Sequence, residues 1–160
     1  MTEDTTVRLT ARVLPVSAEG EVLLLQDQDP AVPGVLRWGS VGGAVEEGET
    51  LREAAVRELR EETGIVVVPE LLSEPLHRSG YSFTWGGRAF TTDTTFFALP
   101  LDRDTEVSFA NLDPGEVGNV LAAGWWTPAA LAADGTAISP ELIDVMVTAI
   151  AAVTAPEGAR

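Results

Sequence analysis

Cysteine and lysine are both missing from this 160-residue chain, and histidine occurs once. Without cysteine there is no disulfide framework, no thiolate metal site and no cysteine nucleophile. No apolar run reaches the length of a membrane span, and the Thr- and Glu-bearing N-terminus lacks the basic and apolar regions of a signal peptide. These absences predict a soluble, cytoplasmic protein with no membrane partner. Positive charge is scarce as well: ten arginines stand against 25 acidic residues, for a formal net charge of −15. Such a surface repels a polyanion at long range, which excludes extended nucleic acid as a partner. A small phosphorylated substrate escorted by a cation is compatible with it. The length suits one domain over 1–160 with a sizeable core, its ends 1–6 and 155–160 frayed. A homodimer across an exposed strand or loop surface is compatible with the same composition.

Two β-rich runs, Val7 to Val16 and Glu21 to Gln26, flank Ser17-Ala18-Glu19-Gly20 and read as strands joined by a hairpin turn. Asp27 to Arg37, with Pro30, Pro33 and Gly34, is expected to be a loop. Trp38 to Val45 is a glycine-rich extended segment, with Trp38 as a core anchor. Further on, Ile65 to Val68 is a continuous β-branched run that suits a strand buried on both faces. Leu76 to Trp85 and Arg88 to Leu99 form a second hairpin about Gly86-Gly87, which is able to supply the positive φ angles of a type I′ turn. Pro100 to Asn119 is a long acidic loop, and loops of that length tend to be functional. Val120 to Trp126 reads as a strand and Thr127-Pro128 opens a short helix through Ala133. Ser139-Pro140 then starts a C-terminal helix whose Leu142, Met146, Ala149, Ile150 and Val153 recur at helical spacing. Strands around a central helix, closed by a C-terminal helix, make an α/β fold with a mixed sheet between helices.

The informative stretch is Gly43 to Ile65, GAVEEGETLREAAVRELREETGI. Thr50 is a good N-cap with Glu53 three residues on, as in a capping box, and Gly64 supplies a left-handed stop, so a helix is expected to run to Thr63. Leu51, Ala55, Val56 and Leu59 form its apolar stripe, and Glu58 and Glu62 fall beside that stripe. With Glu61 they crowd three carboxylates on one part of the surface, at a cost of roughly a few tenths of a kcal/mol per like pair. A solvated helix laced by Glu53–Arg57 and Arg57–Glu61 pairs is one reading. Arg57 and Arg60 are expected to point round the other side, however, which leaves Glu58 and Glu62 without a basic partner. A divalent cation then fits better, and oxygen-only ligands suit Mg²⁺ or Mn²⁺.

The same stretch matches GX5EX7REUXEEXGU, with U aliphatic, at every fixed position, and so resembles the signature of the Nudix hydrolases. The resemblance implies a Nudix-type α/β/α sandwich and metal-dependent hydrolysis of a diphosphate bond in a nucleoside diphosphate linked to another moiety. It implies that Glu58 and Glu62 bind metal, often with Glu61, and that the carbonyl of Gly42 is a further ligand. Arg57 would pair with Glu49 and brace the loop against the helix. Val41 stands where many members have proline. A loop glutamate ahead of the tryptophan-bearing strand often reaches the metal as ligand or general base; Glu116 is the positional match and Glu106 the reserve. The water's proton would go to Glu61 or Glu116. Tyr81 corresponds to a tyrosine that marks enzymes cleaving dinucleoside polyphosphates, which are the favoured substrates on that basis. A non-catalytic nucleotide-sensing module is the alternative, and lost motif carboxylates would favour it; none is lost. Selectivity is expected from Arg37, the 76–99 hairpin and the 100–119 loop. On the hairpin, Arg78 and Arg88 are candidates to meet phosphate oxygens, and His77 reads as structural.

Overall fold

The computed structural model describes residues 7–154, except Asp113 and Gly115 and the side chains of Tyr81, Phe83 and Trp85. The expected frayed termini therefore lie outside the described residues. Among the described residues, seven strands and three α-helices follow in the order β1 (Val7–Val16), β2 (Val22–Gln28), β3 (Leu36–Gly39), β4 (Val41–Ala44), α1 (Leu51–Thr63), β5 (His77–Trp85), β6 (Arg88–Pro100), β7 (Val120–Trp126), α2 (Pro128–Asp134) and α3 (Pro140–Thr154). The fold is the mixed α/β arrangement expected from the sequence. The extended segment before the helix is two short strands, and β2 continues two residues beyond the expected Gln26.

Residues 13–16, 22–25 and 96–99 of the central strands read as continuous apolar runs because helices cover both faces of the sheet there. Along β1, Ala11 and Val13 face α1 while Leu14 and Val16 face α3. The alternation repeats in β2, with Leu23 and Leu25 against Val22 and Leu24, and in β6, with Phe97 and Leu99 against Phe96 and Ala98. Leu59, Ala54 and Ala55 close one core; Leu142, Val145, Met146 and Ala149 close the other. Val41 is fully buried in the first of these, opposite Val13. Trp38 packs at the edge of the second, 5.4 Å from Trp126 in an edge-to-face contact. Among the described residues no helix is long and apolar enough to cross a membrane.

The strand pairing makes room for a site. All of β1 pairs in parallel with β6, from Val7↔Thr91 to Val16↔Pro100, which uses one edge of β1. On its other edge β1 meets β2 only at Val16↔Val22, beside the Ser17–Gly20 turn. Beyond that pair β4 takes the edge of β1, from Val13↔Val41 to Thr10↔Ala44, and β3 takes the edge of β2, from Leu25↔Gly39 to Gln28↔Leu36. The two strands therefore part, and a cleft opens between them. The β5–β6 hairpin turns on Gly86 and Gly87, with φ of 61° and 80°, the two positive values a type I′ turn needs.

One expected strand is absent. Ile65 to Val68 pairs with no strand among the described residues, and Val66 and Val68 are exposed while Ile65 is buried. Its β-branched residues meet no free strand edge on the way from α1 to the turn at Pro69–Leu71, so only Ile65 and Val67 reach the core.

Candidate metal and phosphate site

Helix α1 begins and ends as its sequence dictates. The Thr50 side chain accepts from the Glu53 N–H while the Glu53 carboxylate accepts from the Thr50 N–H, and Gly64 terminates the helix at φ 76°. These ends fix which residues face β4. Gly42 and Gly43 then let the helix come close. A Cβ on Gly43 would lie 2.7–2.8 Å from all three carboxylate atoms of Glu58. One on Gly42, whose φ is 151°, would lie 2.4 Å from the Ala11 carbonyl oxygen. Only bare backbone fits at Gly42, while a Cβ at Gly43 would have to displace the Glu58 carboxylate, and the Gly42 N–H donates to Glu62 Oε1 at 2.8 Å.

Arg57 ties this corner together. Its Nε and Nη2 donate to both oxygens of Glu49 at 2.7 and 3.1 Å, and Nη2 also reaches the Ala44 carbonyl at 2.9 Å. Its Nη1 donates to Glu58 Oε2 at 2.9 Å and to Glu61 Oε1 at 3.1 Å. The bidentate bond holds Glu49's carboxyl below its ordinary range. The expectation that Arg57 points away from Glu58 is wrong. The guanidinium is long enough to lie along the helix and touch Glu58 with one nitrogen while clamping the preceding loop with the others.

Glu58, Glu62 and Glu116 each bring one carboxylate oxygen to within 4.8 Å of the others. Glu116 arrives on the loop before β7, where Asn119 and Val120 donate their N–H groups to its carbonyl. Glu58 and Glu62 are buried, and burial pushes both carboxyls upward. For Glu58, Arg57 opposes the shift and Glu61 and Glu116 add to it. For Glu62, whose rise is large, the hydrogen bond and charge of Glu116 add and the charge of Arg12 opposes. Two buried carboxylates crowded by a third favour a proton or a cation among them. All-oxygen donors fit a hard divalent ion such as Mg²⁺ or Mn²⁺. The structure thus assembles two of the three expected motif glutamates with the loop glutamate, while Glu61 is turned to Arg57. Glu106 is exposed and outside the cluster.

A cleft of about 570 Å³ opens beside Glu62 and Glu116. Arg12 and Asp27 line it next to them, and Arg12 Nη1 donates to the Ser40 carbonyl at 2.7 Å. Burial raises Asp27 from 3.8 to about 6, with Arg12 opposing and Glu116 adding. Arg37 lines the cleft as expected, and so does Arg8. Arg78 does not: it is bonded to Asp93, which alternates with the buried Thr92 and Thr94 on β6. Arg88 lies over the Phe90 ring, which lines the cleft. His77 is bonded to Glu141 at 3.0 Å. The Tyr81 side chain lies outside the described residues. Arg8, Arg12 and Asp27 are missing from the sequence-based candidates. The signal for the arginines was there, as two charges four residues apart in a mostly apolar strand.

The family model of the NUDIX domain matches residues 6–146. The chain belongs to the Nudix family. Among curated Nudix relatives, the putative nudix hydrolase 1 of Caenorhabditis elegans is 41% identical over 87 residues, 54% of this chain and 22% of that protein. Nudix hydrolase 25 of Arabidopsis thaliana is 31% identical over 105 residues, 59% of this chain and 58% of that protein. The matched part of the Nudix chain thus spans less than two thirds of either relative. The solved structure of the E. coli dihydroneopterin triphosphate pyrophosphohydrolase superposes with a TM-score of 0.64 at 25% identity, covering 88% of this chain and 95% of that one.

Proposed function

We propose that this Nudix protein is a divalent-metal-dependent hydrolase that cleaves a phosphoric anhydride bond in a nucleoside diphosphate linked to another moiety. The observation that carries the reading is the meeting of Glu58, Glu62 and Glu116, two of which line a cleft that also holds Arg12. Hydrolase relatives, and a similar solved structure named for action on a triphosphate, support it.

Glu58, Glu62 and Glu116, with the Gly42 carbonyl, would hold the cation. When bound, a divalent ion there neutralises phosphate charge and acidifies a water molecule. The remaining work falls to side chains. Arg12 offers its guanidinium to phosphate oxygens beside the cluster and balances charge that builds as the anhydride breaks. Glu116, which lines the cleft, takes the proton of the attacking water. Glu61 lies outside the cleft lining and orients Arg57, which keeps Glu58 and the Glu49 loop in register. Dinucleoside polyphosphates are the leading substrates.

The test is release of phosphate or nucleoside monophosphate from dinucleoside polyphosphates, nucleoside diphosphate sugars, ADP-ribose, NADH and nucleoside triphosphates, with Mg²⁺ or Mn²⁺. Turnover of one class, reduced by about 100-fold or more in Glu62→Gln and in Glu116→Gln, is the expected result. No turnover of any substrate while cation still binds would replace the hydrolase reading with a nucleotide-sensing module.

A further inference from the structure

Arginine supplies all the standing positive charge of the side chains, and its partners are unevenly shared. Arg52, Arg57, Arg78 and Arg103 form salt bridges. Among the described residues Arg8, Arg12, Arg37, Arg60 and Arg88 form none, and Arg60 is simply exposed on α1. The other four gather in one region: Arg8, Arg12 and Arg37 line the cleft, and Arg88 lies over Phe90, which lines it too. With 25 acidic residues available, a guanidinium on this molecule readily finds a carboxylate. Arg12 is balanced by the charges of Asp27 and Glu62 in the cleft, which leaves Arg8, Arg37 and Arg88 around it as a surface suited to an anion from outside.

The arrangement also has a direction. Arg12 lies opposite Gly42, whose N–H holds Glu62, so it marks the carboxylate end of the cleft. Arg8 is on the same face of β1 four residues away, about 13 Å along the strand. There its guanidinium stands 5.0 Å from the centre of the Phe90 ring, and that of Arg88 stands 5.9 Å from the same ring. An aromatic face holds a guanidinium in position without neutralising it and leaves N–H donors for ligand oxygens.

We propose that Arg8 and Arg88, braced on Phe90, form a second anion site that takes a phosphate at the far end of a polyphosphate chain. The proposal rests on the carboxylate cluster being the site of anhydride cleavage, and it narrows the substrate class. The preferred substrates carry a chain of three or more phosphates running along β1 past Arg12. A nucleoside diphosphate joined to a neutral sugar would leave the outer arginines unused.

Calorimetric titration of the Mg²⁺-loaded protein with inorganic pyrophosphate and with inorganic tetrapolyphosphate tests this without requiring nucleotide turnover. The wild type is expected to bind the longer chain about tenfold or more tightly than pyrophosphate. The Arg8→Gln/Arg88→Gln variant is expected to lose that preference while keeping its affinity for pyrophosphate and its melting temperature, and the corresponding double lysine variant to keep part of it. No preference in the wild type, or a preference that survives the glutamine variant, would overturn the proposal. Failure of the hydrolase reading would show separately, as absent turnover in the substrate panel with chain-length preference intact.

Discussion

Asp27 has Arg12 and Glu116 for neighbours inside the cleft, and its carboxyl is raised from 3.8 to about 6 chiefly by burial. A carboxyl held above its unfolded value favours the fold only while protonated. That contribution is complete below the unfolded value and is lost as the pH rises through about 6. The effect is worth on the order of 2–3 kcal/mol, less whatever solvent screens at a partly exposed position. Asp27→Asn is therefore expected to raise the melting temperature near neutral pH and above, and to change it little in acid. A thermal melt series across pH checks this; a stability profile as steep as that of the wild type would assign the slope to other groups. Asp27 also illustrates what single residues fail to reveal. It lies at the end of a strand in sequence, and only the pairing of β2 with β7 and the splaying of β1 bring it to Glu116 and Arg12. The carboxylates of the motif helix were legible, because their spacing is local. The partner of Glu58 was not: a helical wheel gives directions around the axis, whereas the Arg57 side chain runs along it to reach Glu58.

Among the elements, those whose signals lie within their own residues were read correctly. Helix α1 has both caps in its own sequence, and the β5–β6 hairpin has its turn glycines. Ile65 to Val68 failed because a strand needs a free edge, and no β-propensity reports whether one is near. The contact between β4 and α1 lay between these cases: the glycine pair was visible, but its closeness to Glu58 was not. Gly43→Ala is expected to push the Glu58 carboxylate out of the cluster while the fold survives, since the side chain can swing where backbone could not. Cation affinity should fall about tenfold, in line with displaced ligand geometry, with the melting temperature of the cation-free protein little changed. Unaltered affinity in a Mn²⁺ titration would mean that the Glu58 carboxylate is not a ligand.

Over the whole molecule, the arrangement of strands and the distribution of charge converge on one region. A sheet covered on both faces parts between β1 and β2, and the opening receives the carboxylates of Glu62 and Glu116 together with Arg8, Arg12 and Arg37. A chain with net charge −15 gathers few anions from solution unless a cation helps. The three crowded glutamates are thus the feature on which the rest of the functional reading depends. The most direct measurement is the melting temperature of the wild type, Glu58→Gln, Glu62→Gln and Glu116→Gln with and without millimolar Mg²⁺ or Mn²⁺. The expected result is stabilisation of the wild type that is abolished by chelator and lost or strongly reduced in all three variants. Stabilisation of equal size in the wild type and the variants, or none in any of them, would contradict a cation site at Glu58, Glu62 and Glu116.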